Sequence, residues 1–212
     1  MFACICNSVM TKRAVRSHWR PFLVLNFVLV ISSPALHGAD LKAGRNAYER
    51  KDYANAIKEL VPLAQAGTVE AEVLLGKMYM LGQGVPKDAD LALKWFRAAA
   101  DQENAEAEFF LGAMYLLPRK DIPQGLKWLR LSAEQGTAEA QLLVGMAYSK
   151  GSDVPHDLVQ ADMWLRLAAA QGDKFAASQY ERAERLMTPD EIEKARTLTE
   201  AWRPRIVANR NR

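Results

Sequence analysis

Once the first 39 residues are set aside, one histidine is left, His156, and no second histidine or any cysteine follows residue 39. A lone imidazole neither completes a metal's ligand set nor finds the orienting partner that a general base needs. Both cysteines, Cys4 and Cys6, precede residue 39, so the remainder has no thiolate ligand, no disulfide and no thiol nucleophile. Carboxylates come in pairs, Asp88 with Asp90 and Glu106 with Glu108. Each pair opens a helical pattern, where the helix dipole favours negative charge, and that accounts for them without acid–base work. Gly82-Gln83-Gly84 runs into Val85-Pro86 and lacks the order of a phosphate loop, and no G-x-S-x-G elbow occurs. Tryptophans could stack on a sugar or cage a ligand, yet Trp95, Trp128 and Trp164 lie on alanine-rich helical stripes, where a core explains them. These residues point to no catalytic group, no cofactor and no metal.

What positions the tryptophans is a repeat. Ala71, Ala107 and Ala140 open three similar blocks, and Gly76, Gly112 and Gly145, then Tyr79, Tyr115 and Tyr148, then the three tryptophans keep step with them. A period in this range is the mark of a solenoid. Each block reads as two helices. In the first, Ala71, Leu74, Leu75, Met78 and Tyr79 share a face. A turn at Gly82–Pro86 follows, and the second helix aligns Ala92, Trp95, Phe96 and Ala99. Glycine inside a helix costs about 1 kcal/mol against alanine, so its recurrence in phase predicts a second helix crossing there.

The first copy carries Ala71, Leu75, Gly76, Tyr79, Gly82, Gly84, Val85, Asp88, Ala92, Trp95, Ala99 and Ala100 in an order that resembles the Sel1-like repeat, a relative of the tetratricopeptide repeat. The second copy departs from it by lacking three residues and the Gly-Val turn, and the third has Val144 in place of leucine. The resemblance implies an all-α fold, an α/α solenoid of helical hairpins wound as a right-handed superhelix, with the first helix of each pair on the concave side.

Around the repeats at 71–106, 107–139 and 140–175, segment 40–70 reads as an N-terminal capping hairpin and 176–203 as a C-terminal one. They form a single array of about ten helices. Glu59 stands where Trp95 stands in the next unit, as suits an outer face, and Pro62 predicts a kink or an irregular turn. Thr188-Pro189-Asp190-Glu191 spells a capping box. Residues 204–212 read as a short basic tail, flexible by composition.

Residues 1–39 have the three-part layout of a secretory signal peptide. Lys12, Arg13, Arg16 and Arg20 precede an apolar run from Phe22 to Ile31, and small residues lead to cleavage after Ala39 or Gly38; Met10 is a second possible start. With the leader's four cations removed, the 28 basic residues fall to 24 against 25 acidic, so the folded part offers no case for nucleic acid. The expected location is the periplasm, with membrane contact only through an uncleaved leader, and a monomer.

On the first helices, opposite the tyrosine face, stand Val73, Lys77 and Met80, then Phe109, Ala113 and Leu116, then Leu142, Met146 and Ser149. That is apolar for a solvated surface. It reads either as a groove for a protein or peptide partner or as surface buried by superhelical curvature. The functional expectation is a non-catalytic interaction scaffold or adaptor of the bacterial envelope. Two competitors are a membrane-anchored, cell-wall-associated protein and an enzyme binding or hydrolysing β-lactams. The latter is associated with cysteine-rich relatives, whose cysteine pairs have no counterpart here.

Overall fold

The computed structural model describes residues 39–117, 121–151 and 154–206, which belong to one compact unit. The leader, apart from Ala39, lies outside the described residues, as do the last six residues of the tail. Ten α-helices and no strand occur among the described residues: α1 Leu41–Glu49, α2 Tyr53–Gln65, α3 Val69–Leu81, α4 Ala89–Ala100, α5 Ala105–Leu116, α6 Ile122–Glu134, α7 Ala138–Lys150, α8 Leu158–Ala170, α9 Lys174–Glu184 and α10 Pro189–Ala201. Each helix from α2 to α8 packs against the one before it and the one after it, and α9 packs on α8, which is the all-α solenoid.

Short polar side chains start these helices. Asp88 accepts from the backbone N–H groups of Asp90 and Leu91, both at 2.9 Å, so the first acidic pair includes the cap itself. Asn104, Asp157 and Asp173 cap α5, α8 and α9 in the same way. The box at Thr188 is complete: Thr188 Oγ1 accepts from the Glu191 N–H and the Glu191 carboxylate accepts from the Thr188 N–H. Left-handed Gly82 and Gly151 end α3 and α7.

The in-phase glycines sit where helices of a pair cross. A Cβ on Gly76 would stand 2.6 Å from the buried ring of Phe96, and one on Gly145 would stand 2.7 Å from Leu165. At Gly112 it would meet Leu129 at 2.8 Å and the carbonyl oxygen of Gly125 at 2.9 Å. Gly44 does the same work against Leu60 in the first hairpin, so the capping unit is built like the others.

Core clusters form between units. Trp95 packs against the cluster of α1–α3, Trp128 joins that of α3–α5, and Trp164 joins that of α6 and α7, against which Phe109 and Leu116 of α5 also pack. The residue after each tryptophan (Phe96, Leu129, Leu165) is fully buried in the following cluster. One dipeptide thus contacts both neighbours. First helices are consequently covered on two sides: in α3, Ala71 through Gly76 are all buried.

Three expectations change. Helix α2 runs through Pro62 without a break, because the proline lies in the last turn and its carbonyl still accepts from the Ala66 N–H at 3.1 Å. Helix α10 packs chiefly along α8 rather than pairing with α9 as a hairpin, since Leu198 and Trp202 find their apolar partners at Trp164. The tail is not free from its start: the Arg205 N–H donates to the Glu134 carbonyl at 2.6 Å, and its guanidinium reaches Glu108 at 3.4 Å.

Candidate functional site: a groove along the first helices

The glycine crossing of α5 and α6 shapes an apolar recess. Gly125 stands where Ala92 and Ala161 stand in the other copies, and a Cβ there would lie 2.7 Å from Leu116 Cδ2. Leu116 can therefore lie over α6, beside Ile122 and Leu126. Leu143, Met146 and Ala147 of α7, Leu165 of α8 and Ala183 of α9 complete the apolar lining of a cavity of about 510 Å³. Ser149, Lys150, Gln179 and Arg182 are its polar wall residues, and Leu186 is a further apolar one. Two side chains remain unusually open for their type: Met146 is 38% exposed and Leu186 73%.

Of the nine positions the sequence singled out, the structure brings Leu116, Met146 and Ser149 into this groove. Val73 and Lys77 line a second, polar recess of about 530 Å³ with Arg45, Tyr48, Glu70 and Glu106. There the charges are matched, Arg45 with Glu70 and Lys77 with Glu106. Val73, Phe109 and Leu142 hold equivalent places and pack into the three successive inter-unit clusters, and Met80 packs against the first of these. Ala113 is half-buried. Stacking of the next hairpin accounts for the apolar character at 73, 109 and 142.

Among the described residues no group of three or more His, Cys, Asp or Glu side chains gathers as a metal site, and His156 is exposed in its turn. No helix among them is long and apolar enough to cross a membrane.

The Sel1 repeat family model matches residues 69–104, 105–137 and 138–173, in step with the helical pairs α3–α4, α5–α6 and α7–α8. The chain belongs to the Sel1 repeat family. It is similar to a Sel1 repeat protein from Oxalobacter formigenes, at 31% identity and a TM-score of 0.64, over 66% of this chain and 59% of that one. A protective antigen of uropathogenic Escherichia coli strains that displays an SLR fold shares 22% identity and a TM-score of 0.50, over 76% of this chain and 44% of that one. The chain thus spans about half the length of these two structures. No curated protein matches the sequence.

The Sel1 units are also tied by polar clasps that the sequence reading missed. Gln102 donates to Glu72, Gln135 to Glu108 and Gln171 to Gln141, at 2.8–2.9 Å, and each glutamine also donates to a backbone carbonyl of the turn before that first helix. Arg97 donates to the Tyr115 hydroxyl at 2.6 Å and Arg130 to that of Tyr148, whereas Arg166, next in register, pairs with Glu184 and Asp162. The spacing alone carried this signal: 72, 108 and 141 fall at one phase, and 102, 135 and 171 at another. Glu108 is only 1% exposed, and burial pushes its carboxyl up to about 7, against the pull of Gln135 and Arg205. Helix-dipole placement does not describe it. Its neighbour Glu106 faces outward to Lys77.

Proposed function

We propose that this Sel1 repeat protein is an exported, non-catalytic scaffold of the bacterial envelope that holds a partner protein in the groove of α5–α7 and α9. Repeats of this family typically mediate protein–protein interactions. The observation that carries the reading is the groove itself: an apolar floor with Met146 and Leu186 left open at its edge. Soft, unbranched side chains such as methionine adapt to a partner's surface. Export is supported by the basic, apolar and small-residue succession of residues 12–39.

Affinity capture from envelope extracts tests the groove, comparing the wild-type chain with Met146→Asp combined with Leu186→Asp. Both side chains are open to water, so the variant should keep its helical circular dichroism. The expected result is loss of a specific partner; equal recovery by the folded variant would end the groove reading. The mass of the protein recovered from cells tests export. A chain beginning near Asp40 is expected, and an intact leader would transfer the proposal to the anchored form.

A further inference from the structure

We infer that the partner segment seated in this groove is an amphipathic helix with carboxylates flanking its apolar stripe. The inference rests on the groove reading above and adds the chemistry of the occupant. Lys150 and Arg182 are the charged residues of the groove wall; both are exposed and both are cations. They stand in the last turns of α7 and α9, and neither has a carboxylate partner among the described residues. The recess at α1, α3 and α5 is the internal comparison, because there Arg45 and Lys77 are neutralised from the neighbouring unit. The register makes the contrast sharper. Where the first unit holds Lys77 against Glu106, the third holds Met146 and, at the place of Glu106, Phe175, which is also exposed. An ionic tie between units has given way to open apolar surface, with two unmatched cations beside it.

An occupant that fits must bury apolar side chains between Leu116, Leu143 and Met146 and bring negative charge to Lys150 and Arg182. Backbone hydrogen bonds along the rim are already used within the helices, so a segment that satisfies its own backbone, a helix, suits the groove better than a strand seeking an edge.

Three fluorescent synthetic peptides of about 14 residues, four turns of helix, test this by anisotropy. They share one leucine face and differ in carrying Glu, Gln or Lys beside it. The Glu peptide should bind the full chain about fivefold to tenfold more tightly than the Gln peptide at low salt, the sum expected of two exposed ion pairs, and the Lys peptide most weakly. Salt should shrink the spread, and Lys150→Glu with Arg182→Glu should reverse the order. Equal binding of all three, abolished by Met146→Asp with Leu186→Asp, would leave the groove standing and overturn the acidic occupant. No binding, or binding indifferent to that double variant, would overturn both. A dimer dissolved by the same substitutions, or binding to phosphatidylglycerol vesicles through these residues in place of the peptides, would also overturn it.

Discussion

Glu108 shows how much one buried carboxylate can govern. Its oxygens meet Gln135 at 2.8 Å and Arg205 at 3.4 Å, while Glu103 and Glu134 add negative charge nearby. Burial prevails, and the carboxyl is pushed up to about 7 from 4.5. A folded-state value above the unfolded one means that the native chain binds the extra proton between those pH values. The stabilisation is therefore complete below 4.5 and is lost as pH rises through 7. Glu72 and Asp162 are raised by burial in the same sense. The capping carboxylates Asp52 and Glu191 are lowered by their hydrogen bonds, so their contribution disappears at the acidic end instead. Stability should peak in weak acid. Urea unfolding across pH 4.5–7.5 should show Glu108→Gln with a flatter profile, gaining on the wild type by roughly 3 kcal/mol as pH rises from 4.5 to 7; a parallel profile would contradict the assignment. The sequence concealed this because Glu106 and Glu108 look like one acidic pair. Residues two apart on a helix point to nearly opposite sides, and here one meets Lys77 in the open while the other is buried under Gln135.

Helix pairs were the most legible level, because a glycine in a helix needs a reason and three in phase need the same one. The reason proved geometric at all three, and Gly44 extends it to the capping unit. The neighbours differ, and so should the cost of a methyl group. At Gly76 the obstacle is the far edge of one side chain, the Phe96 ring; at Gly112 it includes backbone atoms of Gly125 and Leu129, which cannot turn aside. Overpacking of this kind costs about 1–3 kcal/mol, set against about 1 kcal/mol gained in helix propensity. Gly112→Ala should therefore lower the denaturation midpoint more than Gly76→Ala does, and a stabilised Gly112→Ala would refute the tight crossing. Less legible was what α10 would touch. Its cap and apolar spacing were plain, yet the choice of α8 over α9 depends on where Trp164 comes to the surface, which no local pattern encodes. The docking of Arg205 on α5 was hidden for the same reason, since its partner lies 97 residues away.

At the scale of the molecule, tryptophan and its successor join each unit to both neighbours, and that makes a continuous array out of hairpins too small to stand alone. The repeat period revealed this stacking. It could not separate surface taken by the next hairpin from surface left for a partner, because both are apolar and both lie on the first helices. Val73, Phe109 and Leu142 went to the stack, and Met146 and Leu186 stayed open. That division is the basis of the proposal that the groove of α5–α7 and α9 receives a partner protein. A photoreactive amino acid placed at Met146, and in a parallel strain at the exposed Glu193 of α10, tests it inside intact cells. A discrete covalent adduct from position 146 and none from 193 is the expected result. No adduct from 146, or the same one from both positions, would contradict the account.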